Sequence, residues 1–410
     1  MPDAVSGETV RARKGKVIVF PPGNTCPGQY LLSVGDPLKM LSALDAVRVA
    51  KQSAFPTANG AIMSDIEKVY AFENLFKAYK AARLGKRGTK EEIQFETEIS
   101  RNLVNLSNAL RDGTYRIGGY YSFMIHDPKV RKIHALHFMD RVVQHSLCDN
   151  VLAPILERHL IYENAACRLN KGTDFARNIL TDNLRRSYHK SGMNFWILKC
   201  DIRKYFDNIN HEILKQKLRL VIEDSAVFEL LADIIDSYET AHGRGIPLGN
   251  QTSQWFALYY LDGLDRLFKE RHRLKMYVRY MDDIVILSES KEALEAALAD
   301  ANKCIQALGL SFNGKTQLFP AKNGVMFLGW RFTIQPSGRI LKTVSVITKK
   351  RFYKAIQTIN REYNAGIMPR ETAESILQSY YAYFRKGETR SVKHKGVGAL
   401  RWLNSSGECN

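Results

Sequence analysis

The chain has 410 residues, 45% of them hydrophobic, and sets 60 Lys and Arg against 42 Asp and Glu for a formal net charge of +18. That length and apolar content allow a large core divided into two or three subdomains, and the positive charge attracts polyanions in a salt-dependent way. Six scattered cysteines with no Cys-x-x-Cys pair, no apolar run long enough to span a bilayer and no secretory leader set aside a disulfide scaffold, a zinc site and a membrane protein, and favour the cytoplasm.

In chain order, residues 1–62 carry Pro21-Pro22-Gly23, Pro27-Gly28 and Pro56 and form an extension to which no role is assigned. Helical spacing of apolar residues begins near Ser64, with Ile66, Val69, Tyr70, Phe72, Leu75 and Tyr79, and recurs from Glu92 to Leu110. His134 and His137 are spaced to share a helix face, without partners at zinc-ligand spacing. Strand and helix patterns then mix from Tyr120 to Trp330. Asn194 to Cys200 reads as a buried strand ending at Asp201, and a helix starts after Asn210, a good N-cap. The loop Gly245-Ile246-Pro247-Leu248-Gly249 leads into helical spacing from Thr252 to Leu267. After Val346 the pattern is helical, with Gly366 and Pro369 marking a turn between two helices.

Chemistry concentrates at Tyr280-Met281-Asp282-Asp283, flanked by Met276, Tyr277 and Val278 before and by Ile284, Val285, Ile286 and Leu287 after. Adjacent carboxylates between buried strands are costly unless cations compensate them, although an acidic-tipped surface hairpin would show the same tetrapeptide. Asp201 supplies a third carboxylate in a matching setting, 81 residues before Asp282. Strands so far apart can be neighbours in one antiparallel sheet. Their carboxylates could then share two divalent ions about 3.5–4 Å apart, as in phosphoryl transfer, and magnesium prefers such oxygen donors.

Asp201 with Phe206, then Gly249-Asn250-Gln251-Thr252-Ser253-Gln254, Tyr280-Met281-Asp282-Asp283, Gly309-Leu310 with Lys315-Thr316, and Phe327-Leu328-Gly329-Trp330 follow the order of reverse transcriptase sequence blocks. Upstream, Asp127 to Ile133, Asp140 to Gln144 and Cys167 to Gly172 resemble the fingers blocks of bacterial, group II intron-like enzymes. The resemblance covers residues 63 to about 345. It implies an α+β right-hand polymerase: fingers over 63–195, a palm with an antiparallel sheet over 196–335, and a helical thumb and tail over 336–410. It also implies an RNA-directed DNA polymerase with two Mg2+ ions, dNTPs as substrates, an RNA template and a DNA or RNA primer.

Residue by residue, the resemblance makes Asp201 and Asp282 metal ligands, with Asp283 supporting the site. Phe206 becomes the steric gate against a ribose 2′-hydroxyl, or else simply a core Phe. Lys129 and Arg131 would grip the incoming triphosphate, since guanidinium matches phosphate oxygens bidentately. A solvated basic turn is the alternative. Arg168, Gln254 and Lys315 match substrate-binding motif positions. Basic residues at Lys349, Lys350, Arg351 and Lys354, and at Arg385 and Lys386, interleave with Phe352, Tyr353, Tyr380, Tyr381, Tyr383 and Phe384. Cations with aromatics can neutralise and stack on nucleic acid, so duplex contact is expected there.

Group II intron enzymes show Gln-Gly-x-x-x-Ser-Pro where this chain has Leu248 and Gln254 at the first and last places. The Leu-Gly-x-x-x-Ser-Gln form resembles enzymes of diversity-generating retroelements and some standalone enzymes of antiviral defence. In either case the template would be a dedicated structured non-coding RNA, with room for an accessory protein. A catalytically idle RNA-binding scaffold is the reading from another class, and the intact carboxylates and Phe206 argue against it.

Overall fold

The computed structural model describes residues 63–125 and 131–400, together with two three-residue strands, β1 (Arg11–Arg13) and β2 (Lys16–Ile18), paired antiparallel. The proline-rich segments, Lys129, Cys26 and Cys409 lie outside the described residues. The four described cysteines are free thiols, and among the described residues no helix is long and apolar enough to cross a membrane.

The first helix, α1 (Asp65–Tyr70), starts where the sequence indicates. Ser64 caps it reciprocally, its hydroxyl accepting from Glu67 N at 3.3 Å and its own N donating to Glu67 Oε2 at 2.7 Å. Helix α2 (Phe72–Ala82) buries Leu75, Ala78, Tyr79 and Ala82. The run expected from Glu92 to Leu110 breaks at Glu98 into α3 (Lys90–Thr97) and α4 (Ile99–Arg111), because Glu98 leaves helical geometry at φ −124° and Asn102 bonds back to the Phe95 carbonyl at 3.0 Å. A hairpin of β3 (Tyr120–Ile125) and β4 (Arg131–Leu136) follows, then α5 (Phe138–Leu147), a π-helical turn at Cys148–Leu152 and α6 (Ala153–Glu157). This corrects the expectation for the two histidines. His134 lies on β4, bonded to Ser122, while His137 precedes α5 and pairs with Glu91 at 2.8 Å, so they share no helix face.

Next come α7 (Thr173–Ser191), β5 (Trp196–Asp201), α8 (Tyr205–Asn208), α9 (His211–Arg219) and α10 (Ser225–Asp236). Asn210 does cap α9, accepting from Ile213 N at 3.0 Å. They are followed by α11 (Gln251–Tyr260), α12 (Asp262–Arg266), β6 (Met276–Tyr280), β7 (Asp283–Ser288) and α13 (Lys291–Ala307). Then β8 (Gln317–Pro320), β9 (Val325–Phe327), β10 (Trp330–Ile334) and β11 (Ile340–Val344) lead to α14 (Val346–Asn364), α15 (Arg370–Phe384) and α16 (Arg390–Gly398).

The central sheet is antiparallel in the order β6-β7-β5-β8, and a second sheet runs β11-β10-β9, so the chain is α+β as expected. Period-2 alternation gives the central sheet two apolar faces. Leu198, Cys200, Tyr277, Ile284 and Ile286 join the larger core with α11 and α12. Ile197, Val278, Val285 and Leu287 join a second core with Leu180 and Leu184 of α7, Trp330 and the C-terminal helices. With both faces covered, the sheet is a rigid platform whose one open end carries the carboxylates.

Candidate functional site

Antiparallel pairing places Asp201, the last residue of β5, directly opposite Asp283, the first of β7. Residues directly opposite point to the same face, and like charges in that position repel. The sheet holds them there because Ile197 to Cys200 and Ile284 to Leu287 are buried or paired alongside, so register is fixed by apolar burial and not by the charges. The β6–β7 hairpin turns at Met281 and Asp282, with Met281 in the left-handed region at φ 55°. A non-glycine residue there is uncommon and needs support from its surroundings.

Asp201 is tied down by residues just before β8. Its main-chain N donates to Thr316 Oγ1 at 3.2 Å, its carbonyl accepts from Asn313 N at 2.9 Å, and Asn313 Nδ2 donates to Asp201 Oδ2. Asp283 faces Lys199, whose Nζ lies 3.3 Å from Oδ1 while donating to the Met326 carbonyl at 2.6 Å. That is ion-pair distance without hydrogen-bond alignment, so Oδ1 stays without a donor. Burial pushes the Asp283 carboxyl up to about 6; Lys199 opposes this, and the charges of Asp282 and Asp201 add to it. Asp201 and Asp282 are therefore both within electrostatic reach of Asp283. Among the described residues no three His, Cys, Asp or Glu side chains converge as a closed metal cluster. The donor set nonetheless suits a hard divalent cation: crowded, half-buried carboxylate oxygens, one of them undonated.

Three supporting residues escaped the sequence reading. Lys199 and Asn313 are the first two. The third is Arg279, fully buried on the opposite face of the sheet from Asp283. It binds Asp265 of α12 as a fork, Nε to Oδ1 at 2.6 Å and Nη2 to Oδ2 at 2.5 Å, and also reaches the Leu258 carbonyl at 2.9 Å. Its Nη1 donates to the Met281 carbonyl at 3.1 Å, inside the turn. Tyr277 completes the group, donating to Asp265 Oδ1 at 2.6 Å. Burial alone would lower the arginine pKa; pairing with Asp265 outweighs it and keeps the guanidinium charged. The available signal was a lone arginine inside an apolar strand, which has to find a carboxylate.

Phe206, five residues past Asp201, sits half-buried on α8, its ring edge-on to Tyr205 at 5.7 Å. The Tyr205 hydroxyl donates to the Ala257 carbonyl at 2.6 Å, and Ile246 N donates to the Phe206 carbonyl at 2.9 Å, so α8 is fastened to both α11 and the glycine loop. Leu248 is 37% exposed in that loop, next to Gly249 at φ 104°, and Gln254 is half-buried on the first turn of α11. Lys315 is exposed in the turn that Asn313 shapes, its N donating to Asn313 Oδ1 at 2.7 Å.

Arg168 is engaged within the fold. It is buried, with Nε and Nη2 on the Glu157 carboxylate at 2.7 Å each and Nη1 on the Ile161 and Asn164 carbonyls, so the fold itself uses its donors. Arg131 opens β4 opposite Ile125, while Lys129 lies outside the described residues. Lys349, Lys350, Arg351 and Lys354 lie on α14, and Arg385 and Lys386 are exposed just after α15, Lys386 pairing with Asp174 at 2.5 Å.

Two of the interleaved aromatics need correcting. Phe352 and Phe384 are fully buried with ring centroids 4.8 Å apart, Tyr380 lies 5.1 Å from Phe352, and Tyr383 packs on Trp330 at 5.0 Å. Phe352 and Phe384 are therefore core residues, whereas Tyr353, Tyr380, Tyr381 and Tyr383 stay half-buried among the cations.

The family profile described as Reverse transcriptase (RNA-dependent DNA polymerase) matches residues 126–332, just over half of the chain. Two Saccharomyces cerevisiae proteins are similar. The putative COX1/OXI3 intron 1 protein is 25% identical over 326 residues, covering 63% of this chain and 37% of its own length. The putative COX1/OXI3 intron 2 protein is 24% identical over 241 residues, covering 43% and 28%. The chain thus spans between about a quarter and two fifths of the length of these relatives, 28% and 37%. Among solved structures, telomerase from Candida albicans with a fragment of telomeric RNA aligns at TM-score 0.43 and 15% identity, over 64% of this chain and 53% of that one. Apo telomerase from Candida tropicalis aligns at 0.42 and 15%, over 55% of each.

Proposed function

Because this chain belongs to the reverse transcriptase family and has its right-hand polymerase fold, we propose that it extends a primer on an RNA template with deoxynucleotides, the carboxylates at the end of the central sheet forming the catalytic centre. The observation that carries this reading is the register that sets Asp201 opposite Asp283, beside Asp282 on the turn. Asp201 and Asp282 would hold two magnesium ions, which when bound supply Lewis-acid stabilisation of phosphate oxygens. In the reaction the primer 3′-oxygen bonds to the α-phosphorus, the bond to pyrophosphate breaks, and the hydroxyl proton is lost to solvent.

The remaining roles belong to the chain's own groups. Asp283, partly balanced by Lys199, keeps the carboxylate field in place. Phe206, fastened to α11 and the glycine loop, presents a ring edge where a 2′-hydroxyl would lie. Arg131, which opens β4, and Lys129 grip the triphosphate, and Gln254 and Lys315 border the nucleotide. Lys349, Lys350, Arg351, Lys354, Arg385 and Lys386 contact the phosphates of the template-primer duplex, each contact adding to the salt dependence of binding. Leu248 and Gln254, in the Leu-Gly-x-x-x-Ser-Gln arrangement, support service in a diversity-generating retroelement, copying a dedicated non-coding RNA.

The test is primer extension by Asp201→Ala and Asp282→Ala. Each should lower extension by about 1000-fold or more, as expected when charge stabilisation in the transition state is lost, with RNA binding within about twofold of wild type. Substantial extension by both variants would refute the assignment.

A further inference from the structure

We propose that Arg279 is the positioning residue of the catalytic turn, fixing the Met281–Asp282 peptide so that the Asp282 carboxylate is held ready for a cation; this rests on the assignment of Asp282 as a metal-holding group. The argument begins with what the turn lacks. Met281 has a left-handed backbone, φ 55°, without glycine's freedom. The Arg279 donation to the Met281 carbonyl at 3.1 Å supplies the missing constraint.

Arg279 is itself held from three directions. The fork to Asp265 fixes the guanidinium plane, the Leu258 carbonyl takes a further N–H, and the backbone is pinned where Arg279 N donates to Glu163 O at 3.1 Å and Ala165 N donates to Arg279 O at 2.9 Å. Asp265 is fixed in turn by Tyr277. A buried ion pair is weak evidence for stability, since apolar replacement is often neutral or better, so retaining this one calls for another use. The geometry points to that use: the pair lies on the far face of the sheet from Asp283 and reaches the turn through the Met281 carbonyl. Lysine could keep the charge but could not bind Asp265 as a fork while also reaching that carbonyl.

The experiment uses the whole chain and Mn2+ as the probe, its binding followed by electron paramagnetic resonance without nucleotide or nucleic acid. Arg279→Lys is compared with the triple variant Asp265→Leu, Tyr277→Phe, Arg279→Met, which removes the polar network together and leaves few groups unpaired. Folding is checked by circular dichroism, and binding of an RNA–DNA duplex is measured in parallel. Both variants should bind Mn2+ at least tenfold more weakly, with duplex affinity within twofold of wild type, an effect that general loss of structure would not produce. A folded variant of either kind that binds Mn2+ as tightly as wild type would overturn the role of Arg279. Failure of the unaltered chain to bind Mn2+, or binding indifferent to Asp282→Ala, would instead overturn the functional reading beneath it.

Discussion

Replacing Asp283 by Asn should make the metal-free protein more stable while impairing it as an enzyme. On folding, this carboxyl rises from its ordinary 3.8 to about 6, chiefly through burial. The folded chain therefore keeps a proton that the unfolded chain releases, and binds more protons between pH 4 and 6. Stability must fall as the pH rises through that window, reaching a penalty of about 3 kcal/mol above it, at about 1.4 kcal/mol for each tenfold. The pull of Lys199, whose side chain like that of Asp283 is less than a quarter exposed, is already contained in that net rise. The expected gain at pH 8 in EDTA is thus about 3 kcal/mol, shrinking to under about 1 kcal/mol at pH 4. Urea unfolding followed by tryptophan fluorescence would measure it. A variant no more stable than wild type at pH 8, or a gain that persists on acidification, would refute the reasoning.

Phe206→Ala should raise the ratio of ribonucleotide to deoxynucleotide incorporation at least tenfold, read from competitive primer extension; unchanged sugar discrimination would leave Phe206 a core residue. Arg168→Ala should act on stability, costing about 2 kcal/mol by leaving the buried Asn164 carbonyl and the part-buried Ile161 carbonyl without their donor, and leave KM for dNTP within about twofold; a selective rise in KM would support the substrate role. Changing Leu248 to Gln and Gln254 to Pro should lower misincorporation opposite template adenine, measured by deep sequencing of cDNA from a defined RNA. Uniformly low error at all four bases in the unaltered enzyme would favour copying of a fixed RNA in antiviral defence.

The carboxylates were legible because strand pattern and turn chemistry are local signals, and the apolar runs around Asp201 and Asp282–Asp283 are long enough to fix which face each residue takes. Their partners were not. Lys199 reads as one more strand residue until β7 is laid beside it, and Arg279 and Asp265 meet only through the packing of α12 on the sheet. Asn313 shows no pattern that would link it to Asp201. The aromatics of α14 and α15 were ambiguous for a different reason: aromatic and basic residues alternating at helical spacing describe a stacking platform and an amphipathic core helix equally well, and burial assigns only Phe352 and Phe384 to the core. His134 and His137 differ by three positions, a helix spacing, but β4 ends between them.

Chain order at the central sheet sets when the site can exist. Strand β5 lies between β7 and β8, with Asp201 opposite Asp283 and Lys199 opposite Gln317, so both of its neighbours come from much later in the chain. Contacts so distant in sequence are slow to form, because loop closure comes before any gain from burial. A growing polypeptide that has not yet reached Asn313 lacks one wall of the sheet and the Asn313 and Thr316 bonds to Asp201. The mutual repulsion of the carboxylates is therefore met only as the apolar strands that offset it close, and assembly of the carboxylate end of the sheet belongs among the last events of folding.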